Sequence, residues 1–244
     1  MTGQVPWRVA ALLAGGTGTR LGASVPKQLI QLGDKKILAH TIEVFEAHPD
    51  IDQIHLFMAA GHVDAAAALV ADAGYRKVRT VARGGATRAD SARAAIAALT
   101  GAADDTRLLI HDAVRPFVTP SIITACLTAL DEVAAVTTAV PSTDTVITVT
   151  GSSGRQRIDT IPPRDRVRRV QTPQGFRLGT LAQAHRLAAA DPDFAPTDDC
   201  GVVRRYLPDE PIAVVPGSPD NIKITHAVDL TVAEWLLDQR TGTP

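Results

Sequence analysis

Strand signals and helix signals alternate along most of this chain, and that rhythm limits the fold more than any other feature. Residues 9–13, Val-Ala-Ala-Leu-Leu, form a short apolar run closed by glycines, as a strand buried on both faces requires. Residues 37–47 carry apolar side chains at helical spacing and stop before Pro49. The pattern repeats as strand 54–59, helix 63–73 ended by Gly74, strand 77–82 and helix 87–99 ended by Gly101. It continues as strand 108–110, helix 120–131 and strand 134–140. Strands separated by helices of about 10–15 residues predict βαβ units with right-handed crossovers. The expected fold is α/β, a Rossmann-like, mostly parallel sheet with helices on both faces. Ligands of such sheets sit outside the carboxyl ends of the strands. Polar clusters fall at those places, over 14–27, 83–91 and 111–116.

The rhythm breaks over residues 141–171. Residues 145–149 alternate like a strand, 151–154 (Gly-Ser-Ser-Gly) read as a turn, and 157–161 read as the returning strand. A two-stranded ribbon is marginal alone. The expectation is a β-hairpin arm inserted in the body and packed against a second subunit, giving a homodimer. The rhythm resumes with helices over 178–190 and 197–206, the second capped by Thr197, strands over 212–215 and 222–225, and a last helix over 227–240. The 244 residues suit one domain carrying this arm.

Composition narrows the partners. Apolar residues make up 45% and aromatics only 4%, so Ala, Val, Leu and Ile must fill the core. A formal net charge of −1 gives no electrostatic reason to expect nucleic acid or a membrane surface. No apolar run is long enough to span a bilayer, and residues 1–8 lack a signal-peptide h-region. Cys126 and Cys200 fit no metal-ligand spacing and read as free thiols of a reducing compartment, so the expected location is cytoplasmic.

Four clusters carry chemistry. The first is Leu13-Ala14-Gly15-Gly16-Thr17-Gly18-Thr19-Arg20, directly after the first strand. Glycines let backbone amides approach phosphate oxygens, and Arg20 adds a fixed cation. The dinucleotide fingerprint needs glycine where Leu21 stands, and no Gly-Lys-Ser/Thr follows as a P-loop requires. The loop suits a nucleoside triphosphate held in another manner. Lys27, in Pro26-Lys27-Gln28, can reach a phosphate as a compact charge. His111-Asp112-Ala113-Val114-Arg115 follows the fourth strand, where Asp112 can hold Mg²⁺ across phosphates and Arg115 can bind a second anion. In Asn221-Ile222-Lys223-Ile224-Thr225 a lysine stands in an apolar pattern and needs an anionic partner if buried. Two weaker clusters accompany these. Gly84 and Gly85 with Ser91 can approach a base or ribose. Thr197-Asp198-Asp199 suits either a metal or hydroxyl site, or a plain helix start. No activated serine or cysteine nucleophile and no zinc spacing is present.

These motifs, with Thr172-Pro173-Gln174, occur in the order of one family. Over about residues 8–240 the chain resembles the 2-C-methyl-D-erythritol 4-phosphate cytidylyltransferases and their relatives, the ribitol-5-phosphate cytidylyltransferases. The resemblance implies a CTP site, Mg²⁺, a polyol-phosphate acceptor and a dimer joined through the arm. It puts the glycine loop, Arg20 and Lys27 on the triphosphate, and Gly84, Gly85 and Ser91 on cytidine. Asp112 holds the metal and Lys223 reaches the α-phosphate. Arg115, Thr145, Arg164, Thr172 and Thr197 surround the sugar phosphate. Arg20, Lys27 and Lys223 are the implied catalytic residues. The Ala14-Gly15-Gly16 start, Val114 and Ile161-Pro162 lean toward the ribitol enzymes. Thr197-Asp198-Asp199 and residues 217–225 fit the methylerythritol enzymes. The expected acceptor is methylerythritol phosphate, for isoprenoid precursor synthesis, with ribitol phosphate as the alternative. A non-catalytic nucleotide sensor is disfavoured by both lysines and Asp112, and an NAD oxidoreductase by Leu21.

Overall fold

The computed structural model describes residues 6–16, 25–191 and 193–242. Its elements in chain order are β1 (Arg8–Ala14), β2 (Gln31–Leu32), β3 (Lys35–Lys36), α1 (Ile37–Ala47), β4 (Gln53–Met58), α2 (Val63–Ala73), β5 (Val78–Arg83) and α3 (Arg88–Ala98). There follow β6 (Arg107–Asp112), α4 (Pro120–Glu132), β7 (Ala135–Pro141), β8 (Thr148–Thr150), β9 (Arg157–Thr160), β10 (Arg168–Arg177), α5 (Leu178–Ala188), α6 (Asp199–Tyr206), β11 (Ile212–Pro216) and α7 (Ala227–Thr241). Seven strands form one sheet in the order β11-β7-β10-β6-β1-β4-β5. All neighbours are parallel except β10, which runs against both β6 and β7.

The period of two in β1 divides the core. Ala10, Leu12 and Ala14 face a layer built by α1, α2 and α4, around Phe45, Ile42 and Ile123. Val9, Ala11 and Leu13 face the other layer, from α3, α5 and α6, around Ala92, Leu181 and Val203. A third cluster joins α7, through Ala233 and Leu236, to Val114 and Phe117 in the segment after β6 and to Ile224. From β1 the chain crosses outward to β4, while β6 pairs on the other side of β1. The strand ends diverge there, which makes the carboxyl ends of β1 and β6 the natural ligand site.

Several expectations needed correction. Residues 222–225 form no strand; the segment is tied to the body by Ile224 N–H donating to the Val114 carbonyl (3.0 Å). The helix expected from Thr197 begins at Asp199, because Asp198 is the residue whose carboxylate accepts from the Gly201 amide (2.8 Å). Strand β10 was not foreseen. Its ladder on β7 shifts register between Gln171 and Gln174, at a cis Thr172–Pro173 bond that hides the strand's period. The hairpin of the arm is present but shorter, with only β8 and β9 paired and Thr145 outside the ladder. Among the described residues no helix is long and apolar enough to cross a membrane.

Candidate active site

At the end of β1 a cleft of about 260 Å³ is lined by Leu13, Ala14, Gly15, Gly16, Lys27, Gln28, Gly85, Arg88, Ser91, Asp112, Val114 and Lys223, among others. The buried Gln28 brackets the glycine turn from behind, its Nε2 donating to the Ala14 and Gly16 carbonyls. Lys27 stands beside Gly16, where an added Cβ would lie 3.6 Å from the lysine Cε. Gly85 admits no side chain, since a Cβ there would sit 1.9 Å from the Cβ of Asp90. Its amide donates to Ser91 Oγ (3.0 Å), and the Ser91 hydroxyl donates to the Thr87 carbonyl (3.1 Å). Thr87 and Asp90 form a capping box that fixes the start of α3 and so the place of Ser91. Gly84 lies outside the lining, with its amide on the Met58 carbonyl (2.7 Å). Thr17, Gly18 and Arg20 lie outside the described residues.

A second cleft of about 280 Å³ adjoins the first and is lined by Arg115, Val170, Gln171, Thr172, Gln174, Thr197 and Asp198. Arg88, Asp112 and Lys223 line both. Asp112 is the hub. Lys223 Nζ lies 2.9 Å and Arg115 Nε 3.2 Å from its Oδ2, and Arg88 Nε lies 3.9 Å from its Oδ1. Burial alone would raise the Asp112 pKa, but Lys223, Arg115 and Arg88 outweigh it and hold the carboxyl well below the usual carboxylate range. Among the described residues, four cations, Lys27, Arg88, Arg115 and Lys223, stand against three carboxylates, Asp112, Asp198 and Asp199, which leaves positive charge around the clefts, as phosphate binding requires.

Short polar contacts set this hub. The Asp112 amide donates to Thr172 Oγ1 (3.0 Å), and that hydroxyl also meets His111 Nδ1 at 3.1 Å. His111 Nε2 lies 3.2 Å from the Arg115 carbonyl, which can only accept, so Nε2 carries the ring hydrogen. Burial pushes the His111 imidazole down to about 4, leaving it neutral at pH 7. Asn221 donates to the Thr172 carbonyl (2.9 Å), and its own carbonyl accepts from Arg115 (2.8 Å). Lys223 is thereby held two residues further on, beside Asp112.

The structure thus brings together Leu13 to Gly16, Lys27, Gly85, Ser91, Asp112, Arg115, Thr172, Thr197 and Lys223. Thr172 spends its hydroxyl on Asp112 and His111, whereas Thr197 is exposed to the second cleft. Thr145 and Arg164 pair with each other, Arg164 donating to Thr145 Oγ1 (3.2 Å), and line neither cleft. Sequence reasoning missed the parts of Gln28, Arg88, Gln174 and Asp199. Gln28, Gln174 and Asp199 stood inside motifs already singled out, and Arg88 inside the polar cluster over 83–91; nothing in the sequence marks His185, which proves to contact Asp199. Both cysteines are buried, and desolvation raises both thiols, Cys126 to about 11, so neither is an activated nucleophile. An ionised carboxylate opening on both clefts is a suitable ligand for magnesium. Among the described residues no three acidic, histidine or cysteine side chains gather as a metal cage. The donor set suits an ion shared with phosphate oxygens.

Comparisons with known proteins agree with this geometry. A model of the family described as 2-C-methyl-D-erythritol 4-phosphate cytidylyltransferase matches residues 9–239. The 2-C-methyl-D-erythritol 4-phosphate cytidylyltransferase of Thermobifida fusca is 49% identical over 97% of this chain and 95% of its own. The bifunctional ribulose 5-phosphate reductase/CDP-ribitol pyrophosphorylase of Haemophilus influenzae is 37% identical over 96% of this chain and 48% of its own. In three dimensions, the crystal structure of 4-diphosphocytidyl-2C-methyl-D-erythritol synthase from Anaerococcus prevotii superposes with a TM-score of 0.83. It is 29% identical and covers 96% of this chain and 99% of its own.

Proposed function

The chain belongs to the 2-C-methyl-D-erythritol 4-phosphate cytidylyltransferase family, and on that premise we propose that it transfers the cytidylyl group of CTP to 2-C-methyl-D-erythritol 4-phosphate. One observation carries the reading: two clefts, one edged by a glycine turn, meet on Arg88, Asp112 and Lys223. Where a nucleotide's α-phosphate adjoins an acceptor's phosphate, a group transfer needs that juxtaposition and that positive charge.

An oxygen of the acceptor's phosphate attacks the α-phosphorus in line. The new P–O bond forms as the bond from the α-phosphorus to the bridging oxygen of the β-phosphate breaks, and the electron pair leaves with pyrophosphate. No covalent enzyme intermediate is needed, in keeping with the two inert cysteines. Lys27 and Lys223 stabilise charge on the α-phosphoryl oxygens; Arg20 and the loop amides of Leu13 to Gly18 hold the β- and γ-phosphates. Gly85 and Ser91 receive the cytidine, with Gly84 behind them leaving room for Ser91. Arg115 and Thr197 bind the acceptor, and Thr172, by holding the Asp112 amide and His111, shapes the floor of its cleft. Asp112 is the residue that would hold Mg²⁺, which when bound neutralises phosphate charge. Arg88 and Arg115 keep that carboxylate ionised and oriented.

The acceptor's phosphate gains a further ligand from the arm. Thr145 and Arg164 line neither cleft of their own chain, which supports their serving the site of a second subunit in a homodimer. The two buried free thiols support work in a reducing cytoplasm.

The test supplies CTP or ATP with Mg²⁺ and either methylerythritol phosphate or ribitol phosphate, and identifies the product by mass. The reading expects CDP-methylerythritol from CTP. Equal or faster turnover of ATP overturns the cytidylyl assignment; preferential formation of CDP-ribitol overturns the acceptor.

A further inference from the structure

Behind the shared edge of the two clefts runs a line of buried polar groups that the reaction above does not use. His185 on α5 is 3% exposed, and its Nε2 donates to Asp199 Oδ1 (2.9 Å). A carboxylate can only accept, so Nε2 bears the hydrogen. Asp199, 1% exposed, accepts on its other oxygen from Arg88 (2.5 Å), and its amide donates to Gln174 Oε1 (3.2 Å). The Arg88 guanidinium thus spans from Asp199 to Asp112.

Burying an ion pair costs desolvation that apolar side chains of similar size would avoid. Stability alone does not call for a carboxylate here, yet this one has both oxygens engaged. Among the described residues His185 Nδ1 has no partner, so the hydrogen bond the ring makes there serves Asp199. The planar guanidinium donates to Asp199 while keeping 3.9 Å from Asp112, which limits the positions it can take. Arg88 opens α3, three residues before Ser91 of the nucleotide cleft. Asp199 opens α6, two residues after Thr197 of the second cleft.

We propose that His185 and Asp199 are positioning residues for the transfer: they lock Arg88 and thereby fix the spacing between the nucleotide side and the acceptor side of the site. The inference rests on the cytidylyl-transfer reading. Loosening the brace should slow the step in which the two phosphates meet and leave CTP binding nearly intact.

Steady-state kinetics of the full chain with CTP, methylerythritol phosphate and Mg²⁺ tests this on Asp199→Asn, Arg88→Lys, their double variant, His185→Gln and His185→Leu. Asp199→Asn and Arg88→Lys are each expected to lower kcat by about tenfold to a hundredfold with the KM for CTP within about threefold. The double variant is expected to be no slower than the worse single one, because both break one brace. His185→Gln retains a side-chain N–H donor for Asp199 and should keep kcat within about threefold, whereas His185→Leu should lose about tenfold. Unchanged kcat in Asp199→Asn or His185→Leu, multiplying losses in the double variant, or a glutamine variant as slow as the leucine one would overturn the proposal. A KM for CTP that rises in step with the loss of kcat would overturn it too. Should Asp199→Asn not fold, the His185 pair decides. A wild-type protein that makes no CDP-methylerythritol overturns the functional reading instead.

Discussion

The body and the arm differ in what they bury. In the body, charged groups go inside and find partners: Asp112, Asp199 and Arg115 are each no more than 9% exposed, and each is paired. In the arm, apolar groups stay outside: Ile147, Val149, Ile158 and Ile161 are 45–59% exposed on and beside a ribbon of two short strands, and in the body α7 likewise leaves Val228, Val232 and Trp235 exposed. Buried charge is expensive and persists where function or specificity uses it. Exposed apolar surface is equally informative, because a contiguous patch marks a surface meant to be covered. The buried charges of the body support the proposed chemistry there, and the exposed apolar ribbon supports the proposal that the arm packs against a second subunit.

The largest expected effect breaks the body's side of that contrast. Lys223→Ala should lower kcat by about 10²–10³. The lysine side chain is 39% exposed, so melting temperature should move little. Rapid-quench or steady-state turnover together with calorimetry checks both halves of this prediction. Near-native turnover would remove Lys223 from the mechanism.

The next prediction joins the two regions. Lys27→Ala and Arg164→Ala should each be nearly inactive, yet mixing them under subunit exchange should restore about a quarter of the wild-type rate. Half of the dimers are then mixed, and by twofold symmetry one of their two sites is intact. Continued inactivity despite demonstrated exchange would mean that Arg164 does not serve a partner's site. A smaller effect tests the arm alone. Ile158→Asp should shift the protein to monomer in sedimentation velocity and lower activity by about tenfold at low concentration, without changing the melting of the body. A variant that stays dimeric would place the contact elsewhere.

The smallest effect separates the regions by pH. His111 has its folded value lowered to about 4 from 6.5, so the unfolded chain binds the proton more readily between those values. Stability is therefore lost as pH falls through that window. At about 1.4 kcal/mol per pH unit, the His111 contribution is about 3 kcal/mol. Urea midpoints of His111→Gln should fall less steeply between pH 6.5 and 4 than those of the wild type. The hairpin over residues 148–160 contains no histidine, so replacing it with a short turn should leave the slope unchanged.

The sequence made the frame legible where one physical signal dominates. Short apolar runs marked β1, β4 and β6, and the glycines after β1 and the polar residues after β6 marked the site. Lys223 was found for a sound reason, a cation in an apolar pattern, even though the strand expected around it is instead a segment held by Asn221 and Ile224. What escaped was whatever depends on distant pairing. Strand β10 contains a Thr-Pro step and a glycine and loses its period at the bulge, so only its neighbours β6 and β7 define it. Asp198 and Thr197 offer equally good caps one residue apart, and the choice falls to Asp198, which also accepts from Gln174 (2.8 Å). His185 is one histidine on an amphipathic helix; its partner lies fourteen residues further on, across a segment whose path no local pattern predicts.

The central claim is that the two clefts bring an acceptor phosphate against the α-phosphorus of CTP. Methylerythritol phosphate labelled with ¹⁸O on its phosphate tests it directly when the products are read by ³¹P NMR. The account predicts that all of the label stays in the CDP-methylerythritol diphosphate and that the released pyrophosphate carries none. Label in pyrophosphate or in free orthophosphate would contradict it.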